Sequence, residues 1–423
     1  MHLNKELQKI LDGKEGIIKQ EALKSLMKYG DAMGAEDFVP ITSAHTAFSA
    51  MDVVALAFPP RGRKLSKEDI ESFIKEISKT KVAVKTTVNP GILDRKKWQD
   101  MGANEEIYQS AIKAQDIARK LGMMATFNCT PQVNDNIPLM GQHCAWAESS
   151  AHLYINSFYG ARTNRDSYET SLYAALVGYT PKFGLHLDEN RKGTDIIDVQ
   201  CELNNTQDWG VLGYFTGGKV GIGIPVYKNI KKVPTVEDAI QLTANCNSTG
   251  AIPMLMIPGV SPDAPTLEAA FKGDIPRAIY TFDEKEKRKI YDSLSYQAKG
   301  KVDMVFLGCP HKTLYDLVQI AKMLEGKKLA KNTRLWIETA SSSRNTAEEL
   351  GYAKIIEDSG AEIFADGCLA LYYVNAPAKR PNLGRVVSDS AKQTFIARRS
   401  FKSNIHFTTT QECIDIAIKG GIE

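Results

Sequence analysis

Met304-Val305-Phe306-Leu307-Gly308-Cys309-Pro310-His311 is an apolar, strand-like run that stops abruptly on a cysteine followed by proline. The same pattern occurs twice more. Met123-Met124-Ala125-Thr126-Phe127-Asn128 closes on Cys129 and Thr130-Pro131, and Ala361-Glu362-Ile363-Phe364-Ala365-Asp366-Gly367 closes on Cys368. In an open α/β sheet, ligands gather beyond the carboxyl ends of the strands. Three thiols at such ends can meet at one point although they lie far apart along the chain, and no local CxxC pair is involved. Three thiolates on an iron–sulfur cluster leave one iron short of the usual four-cysteine ligation. That open position is a Lewis acid. The competing reading is that all three are small interior hydrophobes, a common fate of free cysteine.

Outward from these runs, strands alternate with helices. Residues 16–34 carry Ile17, Ile18, Ala22, Leu23, Leu26 and Met27 at helical spacing, and Phe38-Val39-Pro40-Ile41 follows as a short apolar piece. Lys81–Val84 reads as a strand ending on Thr86-Thr87-Val88-Asn89-Pro90, and 105–121 reads as a helix feeding the Cys129 run. Pro253–Ile257, the Cys309 run with a helix at 314–324, Arg334–Ile337 and the Cys368 run repeat the alternation. This order predicts an α/β fold of packed lobes with largely parallel sheets. With 423 residues the chain is long for one core, so two lobes are expected, roughly 1–250 and 251–423. The glycine-rich stretch 217–223 runs into Ile224-Pro225 and not into a helix, so it reads as a turn and not a phosphate loop.

Lys+Arg total 53 against 50 Asp+Glu, and the one charge-dense run, 283–289, mixes signs like a solvated helix face. A nucleic-acid partner is not expected. No apolar run reaches the ~20 residues of a membrane helix, and the first residues lack a signal-peptide core. With an odd cysteine count, seven, the expectation is a reducing cytoplasm.

The densest polar tract spans 141–193. It holds Gly141-Gln142-His143-Cys144-Ala145-Trp146-Ala147-Glu148-Ser149-Ser150-Ala151, then Gly160-Ala161-Arg162-Thr163-Asn164-Arg165, then Gly184-Leu185-His186-Leu187-Asp188-Glu189-Asn190-Arg191. Two arginines three apart offer forked donors for carboxylate or phosphate. Glu148 beside two serines can accept or relay a proton, and His186 near Asp188 and Glu189 can act as acid or base. Each of these taken singly is more often structural; their density is what points to a site.

These three segments, with Ser43-Ala44-His45, Thr86-Thr87-x-Asn89-Pro90, Cys129-Thr130-Pro131 and Leu307-Gly308-Cys309-Pro310-His311, resemble the catalytic region of the aconitase X family, in order and over about residues 30–415. The family comprises iron-dependent dehydratases related to aconitase. The resemblance implies an aconitase-like catalytic region without the swivelling domain, and metal ligands at Cys129, Cys309 and Cys368. It leaves Cys144, Cys201, Cys246 and Cys413 as ordinary interior thiols. It also implies catalytic roles for Glu148 and His186, and substrate contacts from Ser43, His45, Ser49, Thr87, Asn89, Pro90, Glu148, Ser149, Arg162 and Lys392. The implied cofactor is an iron–sulfur cluster, [4Fe-4S] first, with [2Fe-2S] or mononuclear iron as alternatives. The substrate would be a small hydroxy acid, of the phosphomevalonate or the cis-3-hydroxy-L-proline kind. Phe48, and Ser167-Tyr168 after Asp166, depart from the phosphomevalonate-type members, whereas Asn89-Pro90 and 187–191 resemble them. The implied partner is a small swivelling-domain subunit carrying a serine base; Ser149-Ser150 or Ser341-Ser342-Ser343 would serve if the chain were self-sufficient. A non-enzymatic iron–sulfur sensor is the alternative from another class, and the balanced charge gives it no output surface.

Overall fold

The computed structural model describes residues 1–47, 75–77, 79–295, 299–375, 384–400 and 405–422. Ser49 and Phe48 lie outside the described residues.

The run that opens the sequence reading is the middle strand of a five-stranded, fully parallel sheet. Its order is Glu362–Ala365, Arg334–Thr339, Met304–Lys312, Val386–Ser388, Ile405–Phe407. Successive side chains of a strand point to opposite faces. Val305 and Leu307 accordingly join one core with Leu317, Ile320, Ile337 and Val387, while Met304 and Phe306 join a second with Trp336, Phe364 and Val386. Both faces are covered, which is why the run is apolar throughout instead of alternating. The helix Leu314–Leu324 that follows begins at a capping box, in which Thr313 and Asp316 each satisfy the other's backbone N–H.

Two three-stranded parallel sheets precede it. One has Ser43–Thr46 between Lys85–Val88 and Cys144–Trp146, with Thr87 also bridged to Met124. The other has Asp195–Val199 between Pro225–Lys228 and Ile279–Phe282. Two short antiparallel pairs, Phe38–Pro40 with Tyr179–Pro181 and Gly300–Lys301 with Gly421–Ile422, complete the described strands. The largely parallel α/β expectation holds.

Several boundaries differ. The strand expected at 81–84 is Lys85–Val88, four residues later, because the β-branched Thr86 and Thr87 pair with the buried Ala44 and His45. Ser43–Thr46, which carries no apolar strand pattern, is itself the central strand. The Cys129 run makes only the Met124 bridge, and 253–257 only a bridge from Met256 to Val226. Gly217 and Gly218 belong to the helix Thr206–Val220 and not to a turn. Glycine there follows from close packing on the helix Val236–Thr249, where a Cβ on Gly213 would sit 2.3 Å from the Leu242 carbonyl oxygen, and one on Gly217 2.3 Å from that of Cys246. Among the described residues no helix is long and apolar enough to cross a membrane.

Candidate active site

Two parallel sheets present their carboxyl ends to one cavity of about 550 Å³. From the sheet around Ser43–Thr46 come Asn89 and Pro90, just past Lys85–Val88, and Ala147, Glu148 and Ser149, just past Cys144–Trp146; Cys129 follows the Met124 bridge. From the five-stranded sheet come Cys309 and His311 in Met304–Lys312, Glu338 in Arg334–Thr339, Cys368 past Glu362–Ala365 and Lys392 past Val386–Ser388. A strand's carboxyl end frees its next residues from the ladder, so side chains there can turn to a ligand. The three cysteines thus meet on one cavity although no sequence proximity joins them.

All three thiols are free and desolvated. Burial pushes each upward, the Cys309 thiol to about 11. The Lys392 ammonium acts in the opposite direction on all three, and the His311 backbone N–H donates to Cys129 Sγ at 3.2 Å. Thiols in such a setting stay protonated by themselves and give up their protons to a metal.

A second group shares the cavity. Glu148 Oε2 accepts the backbone N–H groups of Ser150 (2.5 Å) and Ala151 (2.8 Å), while its Oε1 accepts the Ser149 hydroxyl (2.8 Å) and Lys392 Nζ (3.3 Å). Lys392 also donates to Ser149 Oγ at 2.8 Å. Burial would raise the Glu148 carboxyl, but Lys392, the Ala151 N–H and the Ser149 hydroxyl together hold it below its ordinary value. Burial would lower Lys392; the Glu148 carboxylate and the two nearby thiols Cys309 and Cys129 raise it instead. Glu148 is therefore a fixed anion whose charge orients Lys392, and a weak proton acceptor.

His45 and Thr87 stand one layer behind the wall. Burial takes His45 down to about 4, against Glu148 and Asn89, so the ring is neutral. Asn136 Nδ2 donates to Thr87 Oγ1 (3.1 Å), and Thr87 meets His45 Nδ1 (2.9 Å) while His45 Nε2 meets Asn89 Oδ1 (3.4 Å). With the tautomer that gives Asn89 Oδ1 a donor, His45 Nε2 carries the proton and fixes the Asn89 amide at the cavity. Ser43 is further back, accepting the Trp146 indole N–H at 3.2 Å and donating to Cys144 Sγ at 3.5 Å.

Arg162 and His186 are not brought to this cavity. Residues 142–144 run beside 161–163, and this places Arg162 next to His143, where Asp188 neutralises it. His186 Nδ1 meets His143 Nδ1 at 2.9 Å, and burial, then His143, Arg191 and Arg162, take it down to about 3. The arginine on the cavity wall is Arg165, three residues on, which pairs with no carboxylate among the described residues. Of the candidate serines, Ser149 lines the cavity. Ser150 bonds the Ile240 carbonyl and Thr243, and Ser341 bonds Asp366.

Further wall comes from 165–169, in which Arg165 closes the 160–165 motif and the sequence marks Asp166, Ser167 and Tyr168 only as a departure from the phosphomevalonate-type members. Asp166 there is buried, accepts the Thr163 and Thr170 hydroxyls at 3.3 and 3.2 Å and a backbone contact from Trp146, and is pushed by burial from 3.8 up to about 7. A raised carboxyl favours the protonated fold. Its contribution is neutral below the unfolded value, and stability is lost as pH rises from about 4 to about 7, by at most about 4 kcal/mol. Asp166→Asn should therefore gain on the wild type as pH rises across that window. A melting-temperature difference between the two that is flat from pH 4.5 to 7.5 would contradict this assignment.

Comparison with known proteins agrees with this geometry. Family models for the aconitase X first, second and third domains match residues 1–189, 193–292 and 302–419. The phosphomevalonate dehydratase large subunit of Methanocaldococcus jannaschii is 31% identical over 98% of this chain and 99% of its own length. That of Thermococcus kodakarensis is 33% identical over the same shares. The cis-3-hydroxy-L-proline dehydratase of Pseudomonas aeruginosa is 26% identical over 98% of this chain but 69% of its own. The crystal structure of Thermococcus kodakaraensis aconitase X in its holo-form superposes with a TM-score of 0.83 at 32% identity, covering 99% of this chain and 100% of that one. With all three domain models matched in order and relatives above 30% identity along the full length, the chain belongs to the aconitase X family and is a dehydratase.

Proposed function

We propose that the chain is the metal-bearing large subunit of a two-subunit dehydratase acting on a phosphorylated hydroxy acid of the phosphomevalonate kind. The observation that carries this is the meeting of Cys129, Cys309 and Cys368 on the cavity that also holds Glu148, Ser149 and Lys392. The donor set suits an iron–sulfur cluster, since three thiols from three strand ends face one space. Held by three cysteines, such a cluster supplies an open Lewis-acid position for the leaving hydroxyl.

The chain's own residues do the rest. Lys392, pinned by Glu148, and Arg165, which pairs with no carboxylate among the described residues, present cations for the substrate's acidic groups, and the Asn89 amide, fixed by His45, orients a polar group beside them. Ala147, Ala370 and Pro90 give the cavity an apolar stretch of wall. Neither Ser149 nor Glu148 is a ready proton acceptor. Ser149 donates to Glu148 and accepts from a charged Lys392, so no neutral base activates it, and Glu148 is held ionised at low proton affinity. This supports a base supplied by a second chain, and relatives of the same length named as large subunits support a small-subunit partner. A cytoplasmic setting agrees with seven free cysteines and an oxygen-labile cofactor.

The test is anaerobic co-purification with a small protein of roughly 100–200 residues encoded beside it, followed by ultraviolet detection of the new double bond. (R)-5-Phosphomevalonate should be dehydrated only when both chains are present. Turnover of cis-3-hydroxy-L-proline in its place would overturn the substrate, and full turnover by the isolated chain would overturn the two-subunit reading.

A further inference from the structure

Tyr168 is the first residue of the helix Tyr168–Val177, and its main chain is firmly held. Ser167 caps the helix by accepting the Thr170 N–H, Thr170 returns the contact to the Ser167 N–H, and Thr46 Oγ1, at the end of the central strand, donates to the Tyr168 carbonyl at 2.9 Å. The side chain is used differently. It lines the cavity, 44% of it is accessible, and among the described residues its hydroxyl has no hydrogen-bond partner. The ionisable groups that act on the phenol are Glu148, Lys392, Cys368 and Cys129, all of them cavity residues from other elements. Surrounding protein first, and then Glu148, push the phenol up to about 12, so it remains a proton-bearing donor at every physiological pH. Glu169, the next residue, shares this wall and bears a carboxylate, which disfavours a bare anion pocket made of the helix end alone.

A rigid backbone carrying an unused O–H into a cavity is the arrangement of a preorganised contact, because no protein bond must break when a ligand arrives. We propose that Tyr168 is a substrate-positioning residue whose phenol O–H donates to an oxyanion of the bound hydroxy acid. This rests on the dehydratase reading above and extends it to a further group on the wall of the same cavity. The oxyanion is a carboxylate or a phosphate, two sources with the same acceptor chemistry.

The experiment uses the two-subunit holoenzyme and Tyr168→Phe, which keeps the ring and removes only the donor. Calorimetric Kd values are measured for (R)-5-phosphomevalonate, (R)-mevalonate and cis-3-hydroxy-L-proline, alongside KM, kcat, cluster absorbance and melting temperature. The expected result is a Kd and KM about tenfold higher for each ligand that the wild type binds, with kcat within about threefold and with cluster colour and melting temperature unchanged. A penalty on (R)-5-phosphomevalonate that disappears for (R)-mevalonate places the O–H at the phosphate; one that persists places it at the carboxylate. Turnover of cis-3-hydroxy-L-proline alone would refute the substrate reading while the Tyr168→Phe penalty on that ligand still upholds the contact. Wild-type Kd and KM in Tyr168→Phe would overturn the contact, leaving the phenol as a water-facing side chain. Binding of none of the three ligands by the wild type would overturn both readings.

Discussion

Serine in place of Cys129, Cys309 or Cys368 is expected to give a colourless, inactive protein, while Cys201→Ser keeps both colour and turnover. The reason is geometric. Each of the three thiols comes from a different strand end, so no neighbouring side chain can substitute for one that is lost, and a serine hydroxyl is a far weaker ligand for iron than a thiolate. Cys201 is half-buried beside Lys287, Glu284 and Asp208, well away from the cavity residues. The loss should be seen as absent visible absorbance and absent iron after anaerobic purification, with turnover reduced by more than about a hundredfold. Cys144 and Cys413, both fully buried in the apolar interior, should behave like Cys201 as far as the metal is concerned. A colourless Cys201→Ser protein together with a coloured Cys309→Ser protein would discard the assignment.

The second large effect is expected at Lys392. Its side chain is 15% exposed and its partner Glu148 only 5%, so Lys392→Met leaves a buried carboxylate without its counter-ion. Breaking a buried pair in this way costs about 3 kcal/mol of stability, read by denaturant unfolding. Substrate affinity should fall as well, because the same ammonium faces the cavity and also holds the Ser149 hydroxyl. The double change Glu148→Gln with Lys392→Met separates the two roles: stability should largely return, since the stranded charge is gone, whereas activity should not. Wild-type KM and kcat in Lys392→Met would show that the lysine serves the fold alone. The contrast with Arg162 is informative, since that residue pairs with an Asp188 whose side chain is 70% exposed, and Arg162→Lys should be nearly silent in both assays.

Regular segments were legible in the amino-acid sequence, because periodicity reports burial directly. The unbroken apolar run 304–307 announces a strand covered on both faces, and the spacing from Leu314 to Leu324 marks the covering helix. The repeated halt on a cysteine marks cavity residues more than strand ends, since Met304–Lys312 runs on past Cys309 and the Cys129 run makes only one bridge. The α/β class could be named from these periodicities; the family and the residues Asn89, Pro90, Glu148, Ser149 and Lys392 were implied by the resemblance of the motifs, and all five line the cavity. Local pattern failed where a strand is polar. Ser43–Thr46 carries Ser, His and Thr in a buried central position, since its polar side chains bond to Trp146, Thr87 and the Tyr168 carbonyl and not to water.

Only the tertiary structure decided which polar residues of the irregular segments reach the cavity. Arg162 and Arg165 are equivalent donors as a string of letters; the pairing of 161–163 beside 142–144 sends the first toward His143 and Asp188, and the turn after Thr163 delivers the second to the wall. His186 was drawn to His143, and His45 was set behind Asn89, by contacts spanning more than forty residues. Tyr168 became a cavity residue because a capping box at Ser167 and a bond from Thr46 fix the point where its helix starts. Side-chain direction in a strand or helix follows from a repeat of two or 3.6 residues. In a loop it follows from turn dihedrals and distant partners, and neither is written in the neighbouring residues.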